Sequence, residues 1–188
     1  MRKLSKEEIM GLILILLIIG GFSIPGFRDS LMRARDAQRK NDIGSLATAL
    51  RKYNEDFGFY PMSSPNGKIL ACNPVTKINE NFIFSPCKFG SDGLRDLSDA
   101  SYLPYISTIP TDPNSSNGLN YFYISDGKYF QLYAVLEDKS QDEYNSKIIL
   151  RGLKCGTKKC NFGQSDGKTP LDKSLQEYEN EINAQNKK

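Results

Sequence analysis

Ile9-Met10-Gly11-Leu12-Ile13-Leu14-Ile15-Leu16-Leu17-Ile18-Ile19-Gly20-Gly21-Phe22-Ser23-Ile24-Pro25-Gly26-Phe27 holds no charged side chain, and the polar sequence that follows it is still patterned as helix. A helix rises ~1.5 Å per residue, so this run reaches ~28 Å, about the thickness of a bilayer's hydrocarbon core. Residues 9–27 are therefore expected to span a membrane as an uncleaved stem. A removable secretory signal is the alternative, because Arg2, Lys3 and Lys6 form a positive region ahead of the run. Two features count against it. No Ala-x-Ala-like site follows, and Glu7-Glu8 place acids where such signals usually have none.

Downstream, from Arg28 to about Asp56, apolar residues recur at helical spacing: Leu31, Ala34 and Ala37, then Ile43, Leu46, Ala47, Leu50 and Tyr53. One face of this helix reads as apolar and the other as charged. Gly58 and Tyr60-Pro61 are expected to end it, since glycine suits a left-handed cap and a residue before proline disfavours the helical region. Pro25, with Gly20 and Gly21 upstream, is expected to kink or locally melt the stem, because proline lacks a backbone donor and crowds the preceding turn. Residues 1–57 thus read as a long, jointed helix.

Residues 62–118 are rich in turn formers and read as loop, with a short helix near Leu94 to Leu97. Leu119 to Ile124 and Tyr129 to Leu136 carry the aromatic and branched residues of strands. Asp126-Gly127 between them suggests a tight type I′ hairpin. Lys147-Ile148-Ile149-Leu150-Arg151 reads as a third strand. The fold class expected is α+β: a small antiparallel sheet packed on the apolar stripe of a long N-terminal helix, with a head over residues 58–162. From 163 to 188 the chain is polar. Thr169-Pro170 there caps a last helix bearing Leu171, Leu175, Tyr178 and Ile182, or the segment is a frayed tail. Ser-Asp-Gly recurs at 91, 125 and 165, which is turn chemistry and not a repeat unit.

With 25 Lys+Arg against 22 Asp+Glu, the net charge of +3 is too small to name a partner. Arg28, Arg33, Arg35 and Arg39 flank the apolar run as heavily as its other side is flanked, so basic residues do not orient it. Cysteine usage is more informative. Four cysteines in a loop-rich head suit disulfides and an extracytoplasmic location. Three pairings exist, and Cys72 with Cys87 plus Cys155 with Cys160 is the local one. A zinc site is the rival, but no histidine and no C-x-x-C pair is present. The chain also lacks G-x-S-x-G, a phosphate-cradling glycine loop and any histidine for proton transfer, so enzyme activity is not expected and neither a cofactor nor a metal is called for.

Glu8 and Pro25 stand 17 residues apart around the apolar run. Together with Arg33-Ala34-Arg35-Asp36-Ala37-Gln38-Arg39-Lys40-Asn41-Asp42-Ile43 and Leu50-Arg51-Lys52-Tyr53-Asn54 to Gly58-Phe59-Tyr60-Pro61, they give a stem that resembles those of type IV pilins and type II secretion pseudopilins. Ile109-Pro110-Thr111-Asp112-Pro113 and Phe130-Gln131-Leu132-Tyr133-Ala134-Val135-Leu136-Glu137 look like the loop and sheet of the G-type major pseudopilin. The resemblance covers about residues 4–137 and implies a pilin-like lollipop. Such a subunit is anchored in the membrane with its head extracytoplasmic. It then self-associates into a helical, cell-surface filament with other pilin or pseudopilin subunits and a membrane assembly platform.

The family's processing peptidase cuts after a glycine ahead of a Phe-Thr-Leu-Ile-Glu-like run. Here Lys3 takes the glycine's place and Leu4-Ser5-Lys6-Glu7-Glu8 that of the run, making Lys3/Leu4 the candidate processing site. Glu8 would set register by pairing with a cation on a neighbouring stem: the amine of Leu4 or Met1, or Lys3 or Lys6. The alternative is an interfacial acid in the first helical turn, favoured by the helix dipole by ~0.3–1 kcal/mol. Asp138, Asp142 and Glu143 occupy a region where G-type pseudopilins bind calcium, but the glycines of such a loop are missing and a solvated turn is expected. The cations from Arg28 to Lys52 raise DNA contact, as in uptake pili, though interleaved Asp29, Asp36 and Asp42 favour a solvated face or subunit contacts. The rival to a filament subunit is a membrane-anchored extracytoplasmic binding domain that stays monomeric.

Overall fold

The computed structural model describes residues 5–78, 81–99 and 101–186. It is α+β: one long helix, α1 (Lys6–Phe57), and a three-stranded antiparallel sheet laid across the helix's C-terminal half. Ser5 caps α1, its Oγ accepting from the Glu8 N–H at 3.3 Å while the Glu8 carboxylate accepts from the Ser5 N–H at 2.8 Å. Gly58 closes the helix in the left-handed conformation (φ 78°), its N–H donating to Asn54 O at 2.8 Å. The expected melting at Pro25 does not occur: the helix runs unbroken through it. Proline removes one donor, and the intact hydrogen bonds on both sides hold the segment.

The sheet is ordered β3-β4-β7, with β3 at Phe122–Ser125, β4 at Phe130–Ala134 and β7 at Phe162–Ser165. Ser125 pairs with Phe130, so the β3–β4 loop is four residues long, Asp126 to Tyr129, in place of the two-residue turn expected. The Asp126 carboxylate accepts from the N–H groups of Lys128 and Tyr129, and the Ser125 Oγ from that of Gly127. Ser165, Asp166, Gly167, Lys168 and Thr169 repeat the same three bonds. Identical Ser-Asp-Gly-Lys sequence gives identical turn chemistry at the two places.

Every residue of β4 is buried, because both faces of the sheet are covered. On one side Phe130, Leu132 and Ala134 meet Ile43, Leu46, Ala47 and Leu50 of α1. On the other, Tyr133 and Val135 pack with Ile148 and the Cys155–Cys160 pair. The second cover includes the chain's end: Gln131 Nε2 donates to the carbonyls of Pro170 and Lys173, and Tyr133 OH to that of Leu171. Of the two readings left open after Phe162, helix is the one found, as α3 (Leu175–Gln185), capped by a Ser174/Glu177 box and not by Thr169-Pro170. Leu175 is buried, and β7 already belongs to the sheet.

Three other expectations are corrected. Lys147 to Arg151 is not a strand; Ser146–Leu150 form a short helix, α2, begun by the Asn145 side chain. The third strand is β7. Within 62–118, Asn73–Ile78 and Asn81–Ser85 pair as the antiparallel strands β1 and β2. Leu94 forms a lone bridge with Ile106 instead of a helix. Tyr102 and Tyr105 fasten that loop to the end of α1, both donating to Asp56 Oδ2 (3.2 and 2.6 Å). The outer edge of β3 is filled by the loop before β1: Tyr123 N–H donates to Gly67 O, Ser125 N–H to Ser63 Oγ, and Ser63 Oγ–H to Ser125 O. At the far edge Arg51 Nη2 donates to Ser165 O at 2.8 Å.

Candidate functional site: an ion cluster between stem and head

The apolar stripe read along α1 is not one face. Ile43, Leu46, Ala47 and Leu50 are inside, but Leu31 is 42% exposed and Ala34 and Ala37 face solvent. Continuing the buried face toward the N-terminus at three- and four-residue steps leads to Arg39 and Asp36, both fully buried. The helix therefore enters the head charged side first.

Arg39 forks onto Asp112 through Nε (2.8 Å) and Nη2 (3.0 Å), and its Nη1 reaches Asp36 and Glu137, each at 2.7 Å. Arg35 makes a second fork on Glu137 at 2.8 and 2.6 Å. Asp36 in turn accepts from the N–H groups of Glu137 and Asp138 and from Gln141 Nε2. One helix turn thus fixes both the loop before β3 and the loop after β4. Burial alone would push the Arg39 guanidinium down, but the hydrogen bonds to Asp112 and Glu137 outweigh it and the balance is upward. A turn further on, Tyr121 OH donates to Asp42 at 2.7 Å. Burial and that bond raise the Tyr121 phenol.

The Arg35 fork, opposed by partial burial and aided by Arg39, holds the Glu137 carboxyl at about 2. A depressed folded value means stability that is complete above the unfolded carboxylate range, near 4.5, and is lost as pH falls toward 2. Glu137→Gln is therefore expected to flatten the decline in head stability between pH 4.5 and 2. Urea midpoints measured across that window check it; equal slopes in both proteins would refute the assignment.

Read from sequence, Arg35 and Arg39 are only flanking cations and Asp36 lies on a solvated face or in subunit contacts. Asp36 is instead fully buried against its own head, because its carboxylate is held by Arg39 and by the N–H groups after β4; Asp112, Glu137 and Gln141 carry no individual reading. Their signal was nevertheless present. The segments 33–43, 109–113 and 130–137, quoted above for the pilin resemblance, meet at this one cluster.

The residues that were singled out are dispersed. Lys3 and Leu4 lie outside the described residues, as does the side chain of Pro25. Glu8 is exposed and engaged in its own helix cap. The cysteines pair locally, Cys72–Cys87 and Cys155–Cys160. Asp138 accepts from Ser140 N–H and Oγ–H, and Glu143 pairs with Lys40 at 3.0 Å. Among the described residues no cluster of His, Cys, Asp or Glu could hold a metal. The stem cations considered for DNA are largely committed inside the protein: Arg35, Arg39, Lys40 and Arg51 all bond to the head. Among the described residues no helix is long and apolar enough to cross a membrane. The side chains of Ile19 and of residues 22–25, within the uncharged run, are outside those described.

No family model, curated protein or solved structure matches the chain.

Proposed function

We propose that the protein is a structural subunit of a type IV pilus or related pseudopilus filament, held in the membrane by residues 9–27 before it assembles into a helical fibre. The observation that carries this reading is an apolar helix surface that the head does not use. Met10 is 69% exposed and Leu17 68%, and the apolar exposure continues through Phe27 and Leu31 to Ala34. Among the described residues no side chain from Lys6 to Ala34 hydrogen bonds to the head. So large an apolar surface needs another burial, and lipid or neighbouring stems can supply it. Moving from one to the other exchanges one apolar environment for another, while the Arg39 cluster keeps the head attached.

Electron microscopy of surface material tests the reading, with fibres counted per cell at matched membrane abundance. Fibres built of this chain are expected in the wild type. Leu31→Asp should reduce them sharply without changing head stability, because Leu31 faces away from the core and its replacement places a charge on the shared surface. Glu8→Gln separates the two roles of that residue: the amide can still accept from Ser5 N–H, so loss of fibres points to charge pairing between stems and normal fibres to capping alone. Absence of the chain from any fibre would favour a monomeric anchored domain.

A further inference from the structure

We infer that the disulfide-closed loop at residues 145–161 is a binding surface for the phosphate backbone of double-stranded DNA. The loop begins and ends at one hydrogen bond, Asn145 N–H to Asn161 O at 2.8 Å, and is closed again inside by Cys155–Cys160 and by Cys160 N–H to Leu153 O at 3.0 Å. It contains Lys147, Arg151, Lys154, Lys158 and Lys159 and not one acid. The whole chain has 25 basic and 22 acidic residues, so these five leave 20 against 22 elsewhere: the protein's positive charge resides here.

The four lysines are exposed. None makes an ion pair among the described residues, whereas Lys40, Lys128 and Lys173 each meet a glutamate. Two of the four are placed against each other. In the β5–β6 hairpin (Lys154–Cys155 and Lys158–Lys159), Lys154 is the direct cross-strand partner of Lys159. Like charges at that position destabilise an antiparallel pair, and the disulfide one residue further along each strand holds it together regardless. An anion lying over the hairpin would remove the repulsion.

The neighbouring segment adds donors and no negative charge. Asn120 N–H donates to Cys155 O, and Thr157 N–H to Gly118 O. This lays the hairpin against residues 113–121, which contain no charged residue and expose Ser115, Ser116, Asn117 and Asn120. Lysines interspersed with serine and asparagine are the groups that contact phosphodiesters. No exposed aromatic lies in the loop to stack an unpaired base, which selects a duplex over a single strand. The binding is to backbone and not to sequence.

The test uses the full chain in neutral detergent micelles and a fluorescein-labelled duplex of mixed sequence, followed by anisotropy as sodium chloride is raised. Wild type should bind at low salt, with log affinity falling against log salt at a slope of roughly −3 to −4, about 0.9 for each of four cations. Lys154→Gln/Lys158→Gln/Lys159→Gln should bind at least tenfold more weakly and roughly halve that slope or better. Lys128→Gln/Lys168→Gln/Lys173→Gln removes the same charge elsewhere and should change affinity less than threefold. Retained head melting and intact disulfides in both variants exclude misfolding. Equal loss in the two triple variants, no binding by wild type at low salt, or tighter binding of polygalacturonate than of duplex at equal charge concentration would overturn the inference.

Discussion

Arg39→Ala is expected to lower the unfolding temperature of the head by roughly 6–20 °C. Removing one partner of a buried ion cluster costs about 3–5 kcal/mol, because the charges left behind keep their desolvation without their counter-ion. Each kcal/mol shifts the midpoint by about 2–4 °C in a chain of this size. Here the orphans are Asp36 and Asp112, at most 1% exposed, and Glu137 would retain Arg35 as its one cation, with Asn114 Nδ2 as a neutral donor. Arg39→Lys keeps the charge but cannot bond Asp112 through two nitrogens and Asp36 and Glu137 through a third, so it should recover less than half of the loss. Circular dichroism melts of the three proteins in the same detergent decide the matter. A loss under 1 kcal/mol for Arg39→Ala would show that the cluster is incidental to the attachment of helix and head.

The second large effect is expected from removing residues 1–27. The shortened chain should move almost completely from the membrane pellet to the soluble fraction while its head melts within ~1 kcal/mol of the full chain, the size of a lost helix cap. Two observations predict the separation. Among the described residues, the first side chain of α1 to bond to the head is Arg35, so the cut leaves every such described bond in place. Among the described residues of the run that begins at Ile9, those exposed in the monomer include Met10, Leu12 to Ile18 and Phe27. A full-length chain that stays monomeric and soluble without detergent would refute the stem, and a shortened chain that unfolds would refute the independence of the head.

How far the sequence could be read depended on whether one physical signal acted alone. The long helix was legible because its period persists and Gly58 supplies the left-handed cap. Ile43, Leu46, Ala47 and Leu50 were placed in the core for the same reason. The phase failed before Arg39, where small apolar residues suggested an inward face and the inward face is ionic: periodicity weighs apolarity and does not register a charge whose partners come from 73 and 98 residues away. Ile148-Ile149-Leu150 looked like a strand because three branched or large apolar residues in a row fit either period, and only Ile148 is buried. β7 was missed because Phe162-Gly163-Gln164-Ser165 is polar and contains glycine. A Cβ on Gly163 would lie 2.3 Å from Leu132 O, so glycine there marks a close approach of backbones and not a loop.

The occupied edges of the sheet constrain how this molecule can meet copies of itself. An unpaired strand is a ready acceptor for a strand from another chain, whether by augmentation, swapping or amyloid growth. On β3 the outward groups of Tyr123 and Ser125 already bond to Gly67 and Ser63, in a loop that cannot be displaced without unfolding the approach to β1. On β7 the exposed edge is four residues long and its last carbonyl is taken by Arg51. The outer edge of β3 is taken by its own chain, and that of β7 is short and carries the Arg51 bond at its end, so association through the sides of the helix leaves these bonds in place, whereas extending this sheet would break them.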